Sequence, residues 1–223
     1  MFRSKYELTD DTVTLEDGTV LHRIKALRDF GEVKAGDLGG YIESEDNLSH
    51  EGDCWVDDDA KVFENAMVLD NAQVYGKAQV FDDAWVSGAA WVLGKAQVFE
   101  NARVYGKAWV FDNAYVYGKA QVWGNAEVYD DARVRDNCYV YGDAWVRNNA
   151  QVYGNAEVYG NAEVFGDAWV SQNAAVYDNA RVYEDAQVFE DAQVCGDSSV
   201  YGNAWVCGTA RVCGTVTEGR VYE

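Results

Sequence analysis

From Val56 to Val212 the chain places a valine at every sixth position, twenty-seven times without interruption. Two residues before each valine stands a small residue, which is alanine in twenty-four units and Cys54, Cys138 or Ser198 in the other three. A fixed short period of this kind is typical of a solenoid, in which each repeat packs only against its neighbours. This repeat constrains the fold more than any other feature of the sequence.

The spacing within each hexad predicts a short strand and a corner. In an extended strand, side chains two residues apart point the same way and the residue between them points to the other face. The small residue and the valine are therefore predicted to face inward. Gly, Asn and Asp, which tolerate positive φ, follow the valine and indicate a tight turn. A helix is excluded because its period of about 3.6 residues does not fit a period of six.

The hexad alone leaves the number of sides of each coil open. Phe63, Phe81 and Phe99 recur at eighteen residues, which indicates three sides, but the recurrence of tryptophan fits twelve residues about as well. The strands are short and regularly linked, so successive coils are predicted to stack in parallel under either interpretation.

The two ends of the chain depart from the repeat, and we predict three segments: a β-hairpin and cap region over 1–50, the repeat over 51–214 and a short end segment over 215–223. Residues 12–24 alternate around Asp17-Gly18, which predicts a hairpin with a two-residue turn. After Val212 the valines fall out of register. The end segment is therefore expected either to fold over the last coil or to leave it available for pairing.

The sequence resembles a known family at its N-terminal end and in its repeats. The stretches RDFGEVKAG, GGYI, LS and EGDCWV within residues 26–56 are similar to the N-terminal region of YdcK-like hexapeptide-repeat proteins of bacteria and their phages. The repeat resembles that of left-handed parallel β-helices. The resemblance implies an all-β, left-handed parallel β-helix with an N-terminal β cap, three hexads per coil and no established enzymatic activity. Nine coils of ~4.8 Å would measure roughly 43 Å.

Composition limits location and partners. The formal charge is −20, which disfavours nucleic acid and anionic membranes as direct partners. The chain has no run of eighteen apolar residues and no signal-peptide pattern, so we expect a cytoplasmic protein. Most acids stand at corners, where they suit the turn and keep the repeat soluble. The alternative is an acidic surface that imitates DNA and inhibits a DNA-binding enzyme, although Gly-Lys corners interrupt the acids.

The five cysteines do not predict a disulfide framework, because their number is odd and no pair is closely spaced. Cys54 and Cys138 occupy inward slots and are predicted to be inert. Cys195, Cys207 and Cys213 follow a valine and are predicted to face outward. With three hexads per coil, Cys195 and Cys213 lie one coil apart and form a candidate disulfide. We expect no metal site from these residues.

The sequence offers little for catalysis. Hexapeptide acyltransferases and γ-class carbonic anhydrases share the predicted fold, but fold does not imply function. The acyltransferases use a histidine base, and the only histidines here, His22 and His50, lie outside the repeats. His50 stands where a valine would precede the first hexad, and we expect it to be a cap residue. We predict no catalytic, cofactor-binding or metal-binding residue and no cofactor.

Outward aromatic residues remain as the candidate interaction site. The residue between Ala and Val is tryptophan at 55, 85, 91, 109, 145, 169 and 205, and the residue after Val is usually Tyr or Phe. We predict a non-enzymatic rod that associates with itself, or with an unidentified protein, through aromatic ladders. The candidate interface residues are Phe63, Phe81, Phe99, Tyr117, Trp91 and Trp109. DNA mimicry is the alternative, and acyl transfer is the less favoured third reading.

Overall fold

The computed structural model describes residues 4–223 and shows a three-sided parallel β-solenoid of about ten turns. Three longer strands precede the repeat: β1 (Tyr6–Thr14), β2 (Val20–Ala26) and β3 (Leu38–Ile42), followed by a 3₁₀ helix over Glu45–Asn47. Each of the next twenty-seven strands contains the valine of one hexad. In chain order they are β4 (Trp55–Val56), β5 (Lys61–Val62), β6 (Met67–Val68), β7 (Gln73–Val74), β8 (Gln79–Val80), β9 (Trp85–Val86), β10 (Trp91–Val92), β11 (Gln97–Val98), β12 (Arg103–Val104), β13 (Trp109–Val110), β14 (Tyr115–Val116), β15 (Gln121–Val122), β16 (Glu127–Val128), β17 (Arg133–Val134), β18 (Tyr139–Val140), β19 (Trp145–Val146), β20 (Gln151–Val152), β21 (Glu157–Val158), β22 (Glu163–Val164), β23 (Trp169–Val170), β24 (Ala175–Val176), β25 (Arg181–Val182), β26 (Gln187–Val188), β27 (Gln193–Val194), β28 (Ser199–Val200), β29 (Trp205–Cys207) and β30 (Arg211–Val212). The chain ends with β31 (Thr215–Val216) and β32 (Arg220–Tyr222).

Every third strand belongs to the same side of the solenoid. Side 1 starts at β4 and ends at β31, side 2 runs from β5 to β32, and side 3 runs from β6 to β30. Val92 pairs in parallel with Val110, and Val110 with Val128, so each coil contains three hexads. The eighteen-residue interpretation is thus confirmed and the twelve-residue one is wrong. The strand order is consistent with the left-handed helix that the resemblance implies.

The inward assignment of the repeat is confirmed throughout. The repeat valines from Val56 to Val206 and the alanines two residues before them, from Ala60 to Ala204, have no exposed surface, and Val212 is 6% exposed. Alanine and valine together fill a narrow interior. The coils are held to one another by backbone hydrogen bonds in which, for example, the Trp91 N–H donates to the Ala108 carbonyl at 2.9 Å.

The N-terminal cap is built on an antiparallel hairpin. β1 pairs with β2, and β2 with β3, so the hairpin extends side 2 beyond the first coil. The predicted hairpin is present, but its turn has three residues, because the Leu15 N–H donates to the Thr19 carbonyl at 2.9 Å and Gly18 has φ +94°.

The stacking begins before residue 51, where we placed the start of the repeat. Tyr41 and Ile42 pair in parallel with Lys61 and Val62, and Leu48 forms a parallel bridge with Val68. Ile42 and Leu48 therefore hold the inward positions of a partial first coil. Leu48, not His50, occupies the valine position, because two extra residues separate it from the first regular hexad.

This close docking depends on two glycines. A Cβ on Gly39 would lie 2.5 Å from the Val56 carbonyl oxygen, and one on Gly40 would lie 2.6 Å from that of Ala60. Any side chain at these positions would push the cap away from the first coil.

The last coil continues the stack in a shortened form. Val216 pairs with Val200 and Val221 pairs with Val206, sixteen and fifteen residues apart instead of eighteen. The shift in the valine register therefore reflects shorter corners. The end segment neither folds across the solenoid nor leaves it, and within residues 4–223 the outer edges of β30, β31 and β32 have no strand partner. No helix in this part of the chain has the length and apolar character to cross a membrane.

Candidate interaction surface

At many corners the first residue is aromatic and stacks on its equivalent in the next coil. At the corner that follows side 2, Phe63, Phe81, Phe99 and Tyr117 form a ladder with ring centroids 5.1, 4.9 and 4.8 Å apart and planes within 3°. This is the ladder predicted from the eighteen-residue recurrence. Its parallel stacking contributes on the order of 0.5–1.5 kcal/mol per pair.

The start of this ladder is not a free surface. Phe63 is buried in a cluster with Leu21 and Tyr41, and Phe81 packs against the same cluster. The hairpin of the cap therefore covers Phe63, which corrects its place among the candidate interface residues. Phe99 and Tyr117 lie beyond the cluster and are half-buried.

Side 1 carries a more exposed group, which we call the side 1 patch: Tyr75, Trp91, Trp109 and Phe111. Trp91 and Trp109 are paired in register and stack with centroids 5.4 Å apart, yet they are 36% and 42% exposed. Tyr75 packs on Trp91 at 5.7 Å, and Phe111 meets Trp109 edge-on at 6.4 Å. The patch is thus a continuous strip of aromatic rings across three coils.

The side 1 patch lies in a nearly neutral part of an acidic molecule. Residues 71–126 contain five basic residues and four acidic ones. The rest of the chain carries essentially all of the net charge of −20. Four of the five basic residues are lysines of the Gly-Lys corners. These lysines interrupt the row of corner acids, and they also lie in the coils that carry the exposed rings.

The longest stack was missed by the sequence reasoning. At the corner that follows side 3, five rings stack with centroids 4.4 to 5.5 Å apart. They belong to Tyr105, Trp123, Tyr141, Tyr159 and Tyr177. The eighteen-residue recurrence that identified the phenylalanine ladder is present here too, but Trp123 interrupts the run of tyrosines.

Trp55 differs from the other six tryptophans at its position in the hexad. It is 1% exposed, whereas the others are 36–43% exposed. Phe30 and Tyr6 pack edge-on against it at 5.3 and 6.3 Å. The cap therefore buries a residue that we predicted to lie on the surface.

The acids at the corners serve the backbone. Thirteen non-glycine residues have positive φ, and all of them are acids or their amides at the second corner position. Many of these side chains accept the backbone N–H of the residue eighteen positions later, as Asp178 does from Gly196 at 3.1 Å. The other acids that do so are Asp58, Glu64, Asp70, Asp82, Asp130, Asp136, Glu184 and Glu190. Each such acid satisfies a donor that the coil-to-coil ladder leaves free.

Both histidines are held within the cap. His50 stacks on Tyr6 at 4.4 Å, its Nδ1 accepts the Lys5 N–H at 3.2 Å, and its Nε2 lies 3.6 Å from a Glu45 carboxylate oxygen. The Nδ1 of His22 lies 3.1 Å from the Thr9 carbonyl oxygen. This geometry agrees with the prediction that His50 is a cap residue.

The cysteines fall into two groups. Cys54 and Cys138 are fully buried, and burial raises the pKa of both thiols, that of Cys138 to about 12. Cys195 and Cys207 are buried as well, although we predicted that they face outward, because neighbouring coils and arginines cover them. Cys213 is exposed, and its Sγ lies 3.1 Å from that of Cys195.

Residues 4–223 contain no cluster of three or more His, Cys, Asp or Glu side chains arranged to hold a metal ion. One cleft, around Trp145 between Glu127 and Glu163, is an open groove.

Comparison with known proteins gives two matches. The family model described as the YdcK Beta solenoid repeat matches residues 174–190. A protein of Escherichia coli (strain K12), named as an uncharacterized acetyltransferase YdcK, is 38% identical over 65 residues. That match covers 26% of this chain and 20% of the relative, so only a fifth of the relative's length is matched.

Both matches agree with the three-sided stack of hexads and with the resemblance seen in the sequence. The family match lies within the repeat, and neither match says anything of a site. The chain is therefore a β-solenoid whose repeat is similar to that of YdcK.

Proposed function

We propose that this protein is a non-enzymatic structural or interaction protein, a rigid rod that associates with itself through the side 1 patch. The observation that carries the proposal is the stacked pair Trp91 and Trp109, which remains 36–42% exposed beside Tyr75 and Phe111. Contiguous exposed aromatic surface on a folded protein usually marks an interface. Closed symmetric homo-oligomers are a common way to cover such a surface.

The charge distribution supports this position for the interface. A net charge of −20 repels a second copy, but the band around the side 1 patch is nearly neutral, so two copies can meet there with the least repulsion. Long-range repulsion is screened over ~8 Å at physiological salt, whereas apolar contact is not. Association should therefore strengthen as salt rises.

The test is light scattering at low and moderate salt, on the wild type and on a Trp91→Ala, Trp109→Ala double variant. We expect the wild type to form oligomers that grow with salt and the variant to stay monomeric. Trp169→Ala is the matched control, because Trp169 is 40% exposed on side 2 and lies between two glutamines. A wild type that is monomeric at tens of micromolar under both conditions, or a control that loses association as fully, contradicts the proposal.

The relative's name makes acyl transfer a second candidate. The side chains described above favour it less, because the two histidines are engaged in the cap and no loop leaves the regular coils between Val56 and Val212. We expect no acetyl-CoA hydrolysis or transfer above background. His50→Ala should leave that baseline unchanged, and a turnover that disappears in this variant would establish an enzyme instead.

DNA mimicry receives no support from the corner acids. A mimic needs free carboxylates at phosphate-like intervals, but at least nine of these acids accept a backbone N–H of the next coil. We therefore assign these side chains to the folding of the corners.

A further inference from the structure

The corner stack that follows side 3 ends in two thiols instead of rings. Cys195 follows Tyr177, and Cys213 follows Cys195, at the same first corner position of successive coils. β27 pairs in register with β30 immediately before this corner, so the two cysteines face each other across adjacent coils. Their sulfur atoms are 3.1 Å apart. Neighbouring strands lie ~4.8 Å apart, within the ~4.4–6.8 Å range of Cα separations that disulfides span.

Three further contacts surround this pair. The Arg211 Nε donates to the Cys195 Sγ at 3.4 Å. The Cys195 thiol reaches the Val212 carbonyl at 3.6 Å, and the Ser198 hydroxyl, which replaces an inward alanine, donates to the same carbonyl at 3.0 Å. The pair therefore lies in a fixed environment next to the Arg211 guanidinium, and one of its two thiols is exposed.

We propose that Cys195 and Cys213 form a redox-active dithiol site, which peroxides oxidise to a disulfide that fastens the last coil of the solenoid. The exposed Cys213 is the sulfur that a small peroxide reaches, and Cys195 is the resolving thiol behind it.

The chemistry balances with hydrogen peroxide as the oxidant. Cys213 passes its thiol proton to the Cys195 thiolate and attacks one peroxide oxygen. The O–O bond breaks, and the other oxygen leaves as water once it is protonated. The Cys195 sulfur then displaces the hydroxyl group of the Cys213 sulfenic acid, and a second water leaves. Two thiols and one peroxide thus give one disulfide and two waters, and a dithiol reductant reverses the oxidation state.

The ionisation of the pair agrees with this role. Burial alone would raise the pKa of Cys195, but hydrogen bonds from Arg211, Cys213 and Tyr177 lower it overall. The hydrogen bond to Cys195 raises the pKa of Cys213, so the thiolate of the resting pair lies on Cys195. Transfer of the Cys213 proton to Cys195 then generates the nucleophilic form at the exposed sulfur.

The position of the site gives the bond a structural consequence. Cys213 begins the corner that leads from β30 into the shortened coil, which contains β31 and β32. A disulfide to Cys195 would fix the start of this coil to the coil beneath it. Amides of residues 214–223 should then exchange with solvent at least about tenfold more slowly in the oxidised protein, because local opening of an end segment is suppressed.

The experiment is peroxide treatment of the folded protein, followed by thiol blocking, trypsin digestion and mass mapping. Cleavage after Arg181, Arg211 and Arg220 places Cys195 and Cys207 in one peptide and Cys213 in another, so the wild type alone cannot distinguish the two pairings. The variants Cys195→Ser and Cys207→Ser separate them.

We expect the cross-linked peptides in the wild type and in Cys207→Ser, and their absence in Cys195→Ser. Treatment with a dithiol should remove the link and restore fast exchange of residues 214–223. The proposal is overturned if Cys213 accumulates only as higher oxides, if the link persists in Cys195→Ser, if the disulfide joins two chains, or if exchange does not change on oxidation.

Discussion

At the scale of single residues, the hexad assigns backbone geometry to particular side chains. The second corner position has positive φ, between 53° and 64° in its non-glycine residues, where a Cβ costs about 1–2 kcal/mol. Asp, Glu, Asn and Gln offset part of that cost because their oxygen accepts the N–H of the next coil. Asn148 does so for Gly166 at 3.3 Å and Gln172 for Glu190 at 2.6 Å, so a carbonyl oxygen suffices and charge is not required.

Substitutions at Asp178 test this assignment. Asp178→Asn keeps an acceptor for the Gly196 N–H and should leave the free energy of unfolding nearly unchanged. Asp178→Gly removes the hydrogen-bond acceptor, but glycine adopts the positive φ without steric cost. Asp178→Ala also loses the hydrogen bond to the Gly196 N–H, and its Cβ keeps the cost of the positive φ. We expect the alanine variant to be less stable than wild type by about 1–3 kcal/mol, with glycine between. Urea denaturation gives the order, and an alanine variant as stable as asparagine would contradict it.

Lys5 provides a residue-scale prediction about pH. It has no exposed surface, and its Nζ donates to the Cys54 carbonyl at 2.8 Å. Burial lowers the pKa of Lys5, and the nearby Cys54 only partly opposes this. Between that lowered pKa and the ordinary value of 10.5, the unfolded chain binds a proton that the folded chain does not, so stability rises with pH.

The comparison with Lys5→Met isolates this effect. Lys5 also lowers the pKa of the Cys54 thiol, so the variant loses more stability through that thiol at alkaline pH, which acts in the same direction. The stability of wild type relative to the variant should therefore increase as pH approaches 10.5 from below. Urea denaturation at several alkaline pH values measures the difference. A difference that stays constant with pH would mean that Lys5 keeps its full charge in the fold.

At the scale of strands and corners, the period predicts what depends on local spacing and misses what depends on distant segments. The burial of Val and Ala and the Phe81–Phe99–Tyr117 ladder follow from positions two and eighteen residues apart. The burial of Trp55 and Phe63 does not, because it arises when a hairpin from another part of the chain docks beside them.

The ends of the stack show the same limit. Leu48 takes an inward position although it precedes Val56 by eight residues instead of six, and Val221 does so fifteen residues after its partner Val206 instead of eighteen. At both ends the corners differ in length from those of the regular hexads, although an apolar side chain still points inward. A strict six-residue period therefore cannot locate the first or the last coil. The candidate site was found in part: Trp91 and Trp109 stack as predicted, whereas the neutral band around them needed the three-sided geometry.

The stack at the corner after side 3 allows a prediction for a single element. Tyr141 lies between Trp123 and Tyr159, with centroids 4.4 and 4.9 Å away. Tyr141→Ala removes both contacts and should lower the free energy of unfolding by about 1–3 kcal/mol. Tyr141→Phe keeps the ring and should remain within about 0.5 kcal/mol of wild type. If the two variants unfold at the same denaturant concentration, stacking does not stabilise the corner.

At the scale of the whole molecule, the two ends of the solenoid differ. The cap supplies donors to the carbonyl groups of the first coil, most directly through Asn47, which is fully buried. Its Nδ2 donates to the Glu64 and Ala66 carbonyls at 2.9 Å each, and its Oδ1 accepts the Ser44 N–H at 2.9 Å. The outer edges of β30, β31 and β32 have no such cover within residues 4–223. An open parallel edge is a template for another strand, and among residues 4–223 the cap covers the edge of the first coil but nothing covers the complementary edge of the last coil.

Asn47→Asp should therefore change how the molecules associate. The new carboxylate would face two carbonyl oxygens without donating to them, at a cost of several kcal/mol, so the cap should detach while the coils stay folded. The first coil of one copy would then match the last coil of another, and such a head-to-tail contact propagates without closing. We expect elongated particles in electron micrographs and an unchanged β circular dichroism spectrum at concentrations where wild type forms only small oligomers.

Asn203→Asp adds the same charge at an exposed corner and should behave as wild type. If Asn47→Asp keeps the wild-type size distribution, the cap is not what prevents end-to-end growth.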